Sequence, residues 1–192
     1  MASYLGDYKG AAKDREFKFR RGVQSVLDQT SQDWELLIVA DGCDKTMAMQ
    51  AQFSDARIKF QRIAKQPLWS PNVRNMGILG ASGDWVVYLD TDDVFGPEHL
   101  ALLAPPQDMV WGYFNMLELI GQRWGEVACN PAVRFRCGTG NLMHRPGIFW
   151  PDSADDYMHD WTFIRGLRAL GEGVRLPTPQ YYLMHIPNRY DK

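Results

Sequence analysis

Cysteine is scarce in this chain: three among 192 residues, at 43, 129 and 137, an odd number with no C-x-x-C spacing. That usage argues against a disulfide scaffold and against a zinc site, and it suits a reducing cytoplasm. Long apolar runs are missing as well. No stretch approaches the roughly 18 apolar residues that a membrane span needs, and the N-terminal MASYLGDYKGAAK has no apolar core of leader-peptide length, so a cytoplasmic protein, at most peripheral at an inner membrane, is expected. Charge of one sign is lacking too. A net charge of −2 gives no reason to expect a nucleic-acid or anionic-membrane partner. What is present is 45% apolar residues and 12% aromatics, including seven tryptophans, enough to bury one substantial core in a single domain.

The first hundred residues alternate two periodicities. Residues 14–29 space Phe19, Val23, Val26 and Leu27 as a helix, with Asp14 as the expected N-cap. Leu36 to Ala40 reads as a buried strand ending in an Asp41-Gly42 turn. A short helix in DKTMAMQAQF and a more exposed strand in RIKFQRI follow. Ser70-Pro71 opens a helix that turns Val73, Met76, Ile78 and Leu79 toward a core, and GDWVVYLD is the next strand. Helix–strand alternation of this kind predicts a parallel, Rossmann-like sheet, whose ligands bind beyond the carboxyl ends of its strands.

The tip of that last strand poses the chemical question. In VVYLDTDDVFGPEHL, Asp90, Asp92 and Asp93 crowd into four positions. Capping of a helix begun by Pro97 accounts for one carboxylate at most. A divalent cation needs several hard oxygen ligands and would relieve their mutual repulsion. Asp41 stands on the same rim, which favours a site over a cap. Beyond residue 100 the chain reads as a β-like run over 109–119, a hairpin in GQRWGEV, a strand over 138–144, and a helix in DYMHDWTFIRGLRALGEG with Trp161, Ile164, Leu167, Arg168 and Leu170 periodic and Gly171 as its stop. No linker separates the halves, so one domain with two lobes is expected, about 1–95 and 96–192.

Four stretches, in this order and spacing, resemble the family 2 glycosyltransferases of the GT-A fold: ASYLGDY, SVLDQTSQDWELLIVADGCDKT, VRNMGILGASGDWVVYLDTDDVFGPEHL and MHDWTFIRGL. The resemblance implies an α/β GT-A architecture, a mostly parallel central sheet flanked by helices, with a smaller acceptor-side lobe. It implies an inverting transfer of sugar from a nucleoside-diphosphate sugar, UDP-linked by preference, to an acceptor hydroxyl, assisted by Mg²⁺ or Mn²⁺. By position, Tyr4 would stack on the nucleotide base and Asp41 accept its hydrogen bond. Arg74 would contact nucleotide or diphosphate. Asp90 and Asp92 fall on the D-x-D pair that holds ribose and metal, with Asp93 able to share either task, and Asp160 falls on the catalytic base. His185 and Arg189, in YYLMHIPNRYDK, fall where relatives close over the diphosphate or complete the metal shell. Bacterial members often build surface polysaccharide or modify lipid-linked glycans, which leaves the acceptor open.

The chain departs from the pattern in places. Only Met1 to Tyr4 are available for the first strand, which is therefore expected to be short, and His159 stands where a glutamate is usual. His144 and His159 read as structural or orienting, and Trp161 as core. Trp69, Trp111, Trp124 and Trp150 are open between core and sugar site. Two other functions fit parts of the sequence. A strand ending D-T-D-D-V also suits a haloacid-dehalogenase-like phosphatase with Asp90 as nucleophile, but such enzymes need a later lysine and none lies between Lys65 and Lys192. A non-catalytic nucleotide-sugar or glycan-binding domain of the same fold is the other alternative.

Overall fold

A computed structural model describes the chain except for residues 9, 10, 12, 68, 69, 153–157, 178, 179 and 185–192. Its N-terminal half is built on a parallel sheet of order β1-β2-β3, formed by β1 (Ala2–Ser3), β2 (Leu36–Asp41) and β3 (Ile58–Ile63). Ile38, Val39 and Ala40 are buried, as a central parallel strand requires when both its faces are covered. Helix α1 (Arg15–Leu27) buries Phe19, Val23 and Val26. Asp14 stands at its N-cap as expected, its carbonyl accepting from Lys18 N at 2.9 Å, but at φ 52° its side chain makes no capping bond. α2 (Asp44–Ala48) runs into a 3₁₀ turn at Met49–Gln52.

Helix α3 (Pro71–Gly80) starts at the proline as expected, though Ser70 makes no side-chain cap. It buries Val73 and Ile78, whereas Leu79 is exposed, because one further step of about 100° carries it off the apolar face. The next strand is shorter than its sequence suggests: β4 covers Val86–Val87 only, and β5 covers Val94–Phe95. The acidic tip lies between these two strands, and α4 (His99–Leu102) begins only after β5, so the aspartates do not cap it.

β4 and β5 pair with strands from the second half. One four-stranded sheet has the order β10-β6-β9-β4, from β10 (Val174–Arg175), β6 (Trp111–Tyr113) and β9 (Leu142–His144). The other has the order β5-β11-β7-β8, from β11 (Tyr181–Leu183), β7 (Met116–Ile120) and β8 (Arg123–Val127). The apolar run over 109–119 is thus two strands in two sheets. The break falls at Phe114–Asn115, where the buried Asn115 side chain accepts from Cys129 N at 2.9 Å and donates to Glu126. Helix α5 (His159–Leu170) presents Phe163, Ile164 and Leu167 to a core that contains Trp111 and Trp150. Leu170 is exposed.

The cysteines differ from expectation. Cys129 and Cys137 are disulfide-bonded, with Cα atoms 4.9 Å apart. The intervening loop folds back on itself, Asn130 N donating to Arg136 O at 3.0 Å, a closure that a spacing of eight does not advertise. Cys43 is free and buried. The Met1 amino group donates to Leu37 O at 2.7 Å, and burial pulls it down to about 5, against the pull of Asp90. Beside it a cavity of about 510 Å³ is lined by residues of β1, β2, α3 and β4, among them Leu37, Val73 and Val87. Among the described residues no helix is long and apolar enough to cross a membrane.

Candidate active site

The carboxyl ends of β1, β2 and β3 bring Tyr4, Asp41 and Lys65 together. Lys65 Nζ donates to Asp41 Oδ2 at 2.5 Å and lies 4.7 Å from the centre of the Tyr4 ring, while Gln66 N donates to Asp41 Oδ1 at 2.6 Å. Gly42 permits this contact. It adopts φ +61°, and a Cβ there would stand 2.6 Å from Lys65 Cβ. Both oxygens of Asp41 are therefore engaged before any nucleotide arrives. Lys65 carries no motif in the sequence, although its place just past β3, on the same rim, marks it.

Helix α3 aims Arg74 at the next cluster. Its guanidinium lies 3.6 Å from Asp90 and 4.0 Å from Asp160, with its centre 4.7 Å from the Trp150 ring. The neighbouring Asn75 fixes that ring by its backbone, donating to Trp150 O at 2.9 Å and accepting from Trp150 N at 2.8 Å. Trp150 is thereby neither free nor a sugar platform: it is buried, stacked on Phe163 with ring centres 4.0 Å apart. Its indole N–H donates to Tyr88 Oη at 2.8 Å, and Tyr88 Oη lies 2.6 Å from His144 Nε2. His144 Nδ1 faces Arg145 O at 2.7 Å, and a carbonyl can only accept, so Nδ1 carries the proton and Tyr88 donates to Nε2. Burial lowers His144 to about 4, in keeping with a neutral ring. Trp111 is buried as well, Trp124 is partly exposed on the β7–β8 hairpin, and Trp69 lies outside the described residues.

The three clustered aspartates part company. The Asp90 side chain is about half exposed, yet desolvation by the groups around it raises its carboxyl; Arg74 opposes that shift, and Asp92 and Asp160 add to it. The backbone carbonyl of Asp92 accepts from Arg21 of α1 at 2.6 Å. α1 comes this close because of Gly22, where a Cβ would stand 3.1 Å from Asp93 O. Asp93 turns into the core. Its Oδ2 accepts from Tyr181 Oη at 2.9 Å and its Oδ1 from Met184 N at 2.6 Å, and the carboxyl is pushed up to about 7, by burial first and then by Asp90 and Asp92. Asp93 therefore anchors β11 to the acidic turn and does not face a cation. His185 and Arg189 lie outside the described residues.

Asp160 sits in the first turn of α5. Thr139 Oγ1 donates to its Oδ1 at 2.6 Å, and His159 Nε2 is 3.3 Å from the same oxygen. No group of three or more His, Cys, Asp or Glu side chains among the described residues could hold a metal unaided. Asp90 and Asp92 do suit a hard divalent cation in part. Their charges act on each other, Asp92 helping to raise Asp90, and a bound ligand's phosphate oxygens would have to complete the shell.

The model of glycosyl transferase family 2 matches residues 12–109, about half of the chain. The chain belongs to that family. Among curated relatives, WfgD of Escherichia coli, a UDP-Glc:alpha-D-GlcNAc-diphosphoundecaprenol beta-1,3-glucosyltransferase, is 34% identical over 98 residues, 50% of this chain and 38% of its own. The succinoglycan biosynthesis protein ExoW of Rhizobium meliloti is 35% identical over 88 residues, 42% of this chain and 27% of its own. These matches span well under half the length of either relative. Among solved structures, S. aureus TarS 1–349 superposes with a TM-score of 0.71 at 15% identity, covering 95% of this chain and 58% of that one, and is also known in complex with UDP-GlcNAc. The mannosyltransferase PcManGT of Pyrobaculum calidifontis, in complex with GDP-Man and Mn²⁺, superposes at 0.61 and 12% identity over 98% of this chain and 56% of its own. The fold of this family 2 chain is accordingly GT-A, and the phosphatase reading of the D-x-D turn lapses.

Proposed function

We propose that this domain is an inverting glycosyltransferase that moves a sugar from a nucleoside-diphosphate sugar, with UDP favoured, to an acceptor hydroxyl. The observation that carries the reading is Arg74, one guanidinium set between Asp90 of the acidic turn and Asp160 of α5. A cation at that point suits a departing diphosphate on one side and a carboxylate base on the other. The UDP-GlcNAc complex of TarS and the UDP-Glc named for WfgD support the choice of UDP, and the diphosphoundecaprenol in the latter name supports a lipid-linked glycan acceptor.

In this mechanism Tyr4 and Asp41 take the base, Asp90 the ribose, and Arg74 the diphosphate. Asp92, with Asp90 beside it, would hold Mg²⁺ or Mn²⁺, which when bound neutralises charge on the leaving diphosphate. Asp93 is not among its ligands, because its carboxylate is buried in the core, where its oxygens accept from Tyr181 and Met184. Asp160 accepts the proton of the acceptor hydroxyl as that oxygen bonds to the anomeric carbon. A single displacement inverts the centre, so no covalent sugar–enzyme intermediate forms.

Calorimetry with UDP, with and without Mn²⁺, tests the donor half. Mn²⁺-dependent binding that Asp92→Asn abolishes is expected, and absence of binding by UDP, GDP or TDP under any metal overturns the reading. Asp160→Asn tests the base. It should leave UDP binding intact and lower turnover roughly 10²–10⁴-fold. UDP binding by the wild type without any turnover would instead mark a non-catalytic nucleotide-sugar-binding domain.

A further inference from the structure

Asp160 is held from one side only. The Thr139 hydroxyl, His159 Nε2 and the Arg74 guanidinium all converge on Oδ1, at 2.6, 3.3 and 4.0 Å. Among the described residues no hydrogen bond reaches Oδ2. That oxygen faces Gly138, whose missing Cβ would stand 3.6 Å from it. A third of the Asp160 side chain remains accessible, so the unoccupied oxygen belongs to a carboxylate that an acceptor can approach.

The residue that makes this asymmetry is itself firmly placed. Thr139 is 3% exposed and begins a 3₁₀ turn, Thr139–Asn141, just before β9. Asn141 locks that turn: its Oδ1 accepts from Gly138 N at 2.8 Å, and its Nδ2 donates to Phe114 O at 2.7 Å. A buried threonine hydroxyl has one proton to give, and here it goes to a carboxylate, a charge-assisted bond of the stronger kind. The turn is thus a rigid support that fixes one oxygen of a carboxylate borne on another element.

We propose that Thr139 is a positioning residue that assigns separate tasks to the two oxygens of Asp160. Oδ1 is the anchored oxygen, and Oδ2 is the one that takes the acceptor's proton, with the acceptor hydroxyl arriving across Gly138. This rests on Asp160 being the base. In the transfer the acceptor O–H bond breaks and its proton goes to Oδ2. The acceptor oxygen forms the new bond to the anomeric carbon, and the electron pair of the breaking sugar–phosphate bond leaves on the diphosphate. Without the Thr139 anchor the carboxylate turns about its side-chain torsions, and misplacement by about 1 Å costs on the order of 10²-fold in rate.

The test compares Thr139→Val, which keeps the shape and removes the donor, with Thr139→Ser, which restores the donor. UDP release from UDP-glucose and UDP-GlcNAc with water as acceptor gives kcat, and calorimetry gives the Kd for UDP. Thr139→Val should lower kcat roughly 10–100-fold, with KM for the donor and UDP Kd within about twofold of wild type, and Thr139→Ser should recover activity to within about threefold. A merely structural role would move stability and UDP affinity together and would not be rescued by serine. Gly138→Val, at φ −115° and ψ −178° where any residue fits, should lower kcat by crowding Oδ2 while UDP binding persists. Wild-type kcat in Thr139→Val alongside an inactive Asp160→Asn overturns the positioning role alone, whereas full activity in Asp160→Asn overturns the base reading beneath it. Crystal structures of wild type and Thr139→Val give a second readout that does not depend on the donor used. A carboxylate rotated away from residue 139 is expected, and an unmoved one refutes the proposal.

Discussion

Replacing Tyr88 by phenylalanine removes a single oxygen and strands two buried groups. The hydroxyl gives its proton to His144 Nε2 at 2.6 Å and accepts one from the Trp150 indole at 2.8 Å, and all three side chains are buried. The phenylalanine ring fills the same space, so no cavity term enters beyond the oxygen itself. What remains is an imidazole acceptor and an indole donor without partners, each costing about 1–3 kcal/mol once water is shut out. The loss should therefore be about 2–5 kcal/mol, against a total stability of about 5–15 kcal/mol. Urea unfolding at pH 7 measures it directly, and the thermal midpoint should fall by roughly 4–20 °C. The indole N–H of Trp150 supplies a residue-specific check: it should exchange slowly with deuterium in the wild type and faster in the variant. A stability loss below about 1 kcal/mol with unchanged indole exchange would refute the reasoning, since the two groups would then have other partners.

Two further outcomes follow from the fold and the donor site. Glu35 gathers Lys59 Nζ at 2.6 Å together with the N–H and hydroxyl of Ser82, and although burial works against it these bonds hold it down to about 2. A carboxyl lowered by folding adds stability that is complete above its ordinary value of 4.5 and is lost as pH falls toward 2. Allowing for partial exposure this amounts to about 1–2 kcal/mol, so Glu35→Gln should lower the urea midpoint at pH 7, by a difference that shrinks to roughly a quarter at pH 2.5 and vanishes only below pH 2. Asp41→Asn keeps an acceptor for Gln66 N and gives up an ion pair with a half-exposed lysine, so the fold should stand while UDP affinity in calorimetry falls roughly 5–50-fold, the loss of a charge-assisted contact to the base.

Local pattern carried a good part of this architecture. The run Leu36–Ala40 announced a buried strand, Pro71 announced the start of α3, and Gly171 the stop of α5, because each signal is a property of neighbouring residues. Acidic strand tips marked Asp41 at the end of β2 and Asp90 beyond β4, and the helix–strand alternation matches the α/β layering observed. Other features depend on residues that meet only in three dimensions. Nothing in D-T-D-D says that Asp93 turns inward to Tyr181, and nothing in W-P-D says that Trp150 lies beneath Arg74. Thr139 is equally silent, since its partner is 21 residues downstream on a different element. Leu79 and Leu170 mislead for a different reason: each sits at a helix end where the apolar face has already rotated past the core.

The bonds that hold the candidate site are far-reaching along the chain. Asn75 meets Trp150 across 75 residues, Asp93 meets Tyr181 across 88, and Met184 N reaches Asp93 across 91. Each closes a long loop whose entropy must be lost before the contact gives anything back. A chain emerging from the ribosome can form β1, β2, β3 and α3 early, but it cannot anchor the acidic turn until Tyr181 has been made. In refolding, the β2–β3 pairing should therefore precede the arrangement of Asp93 and Arg74, and the chemistry of this domain becomes available only in the last stage of its assembly.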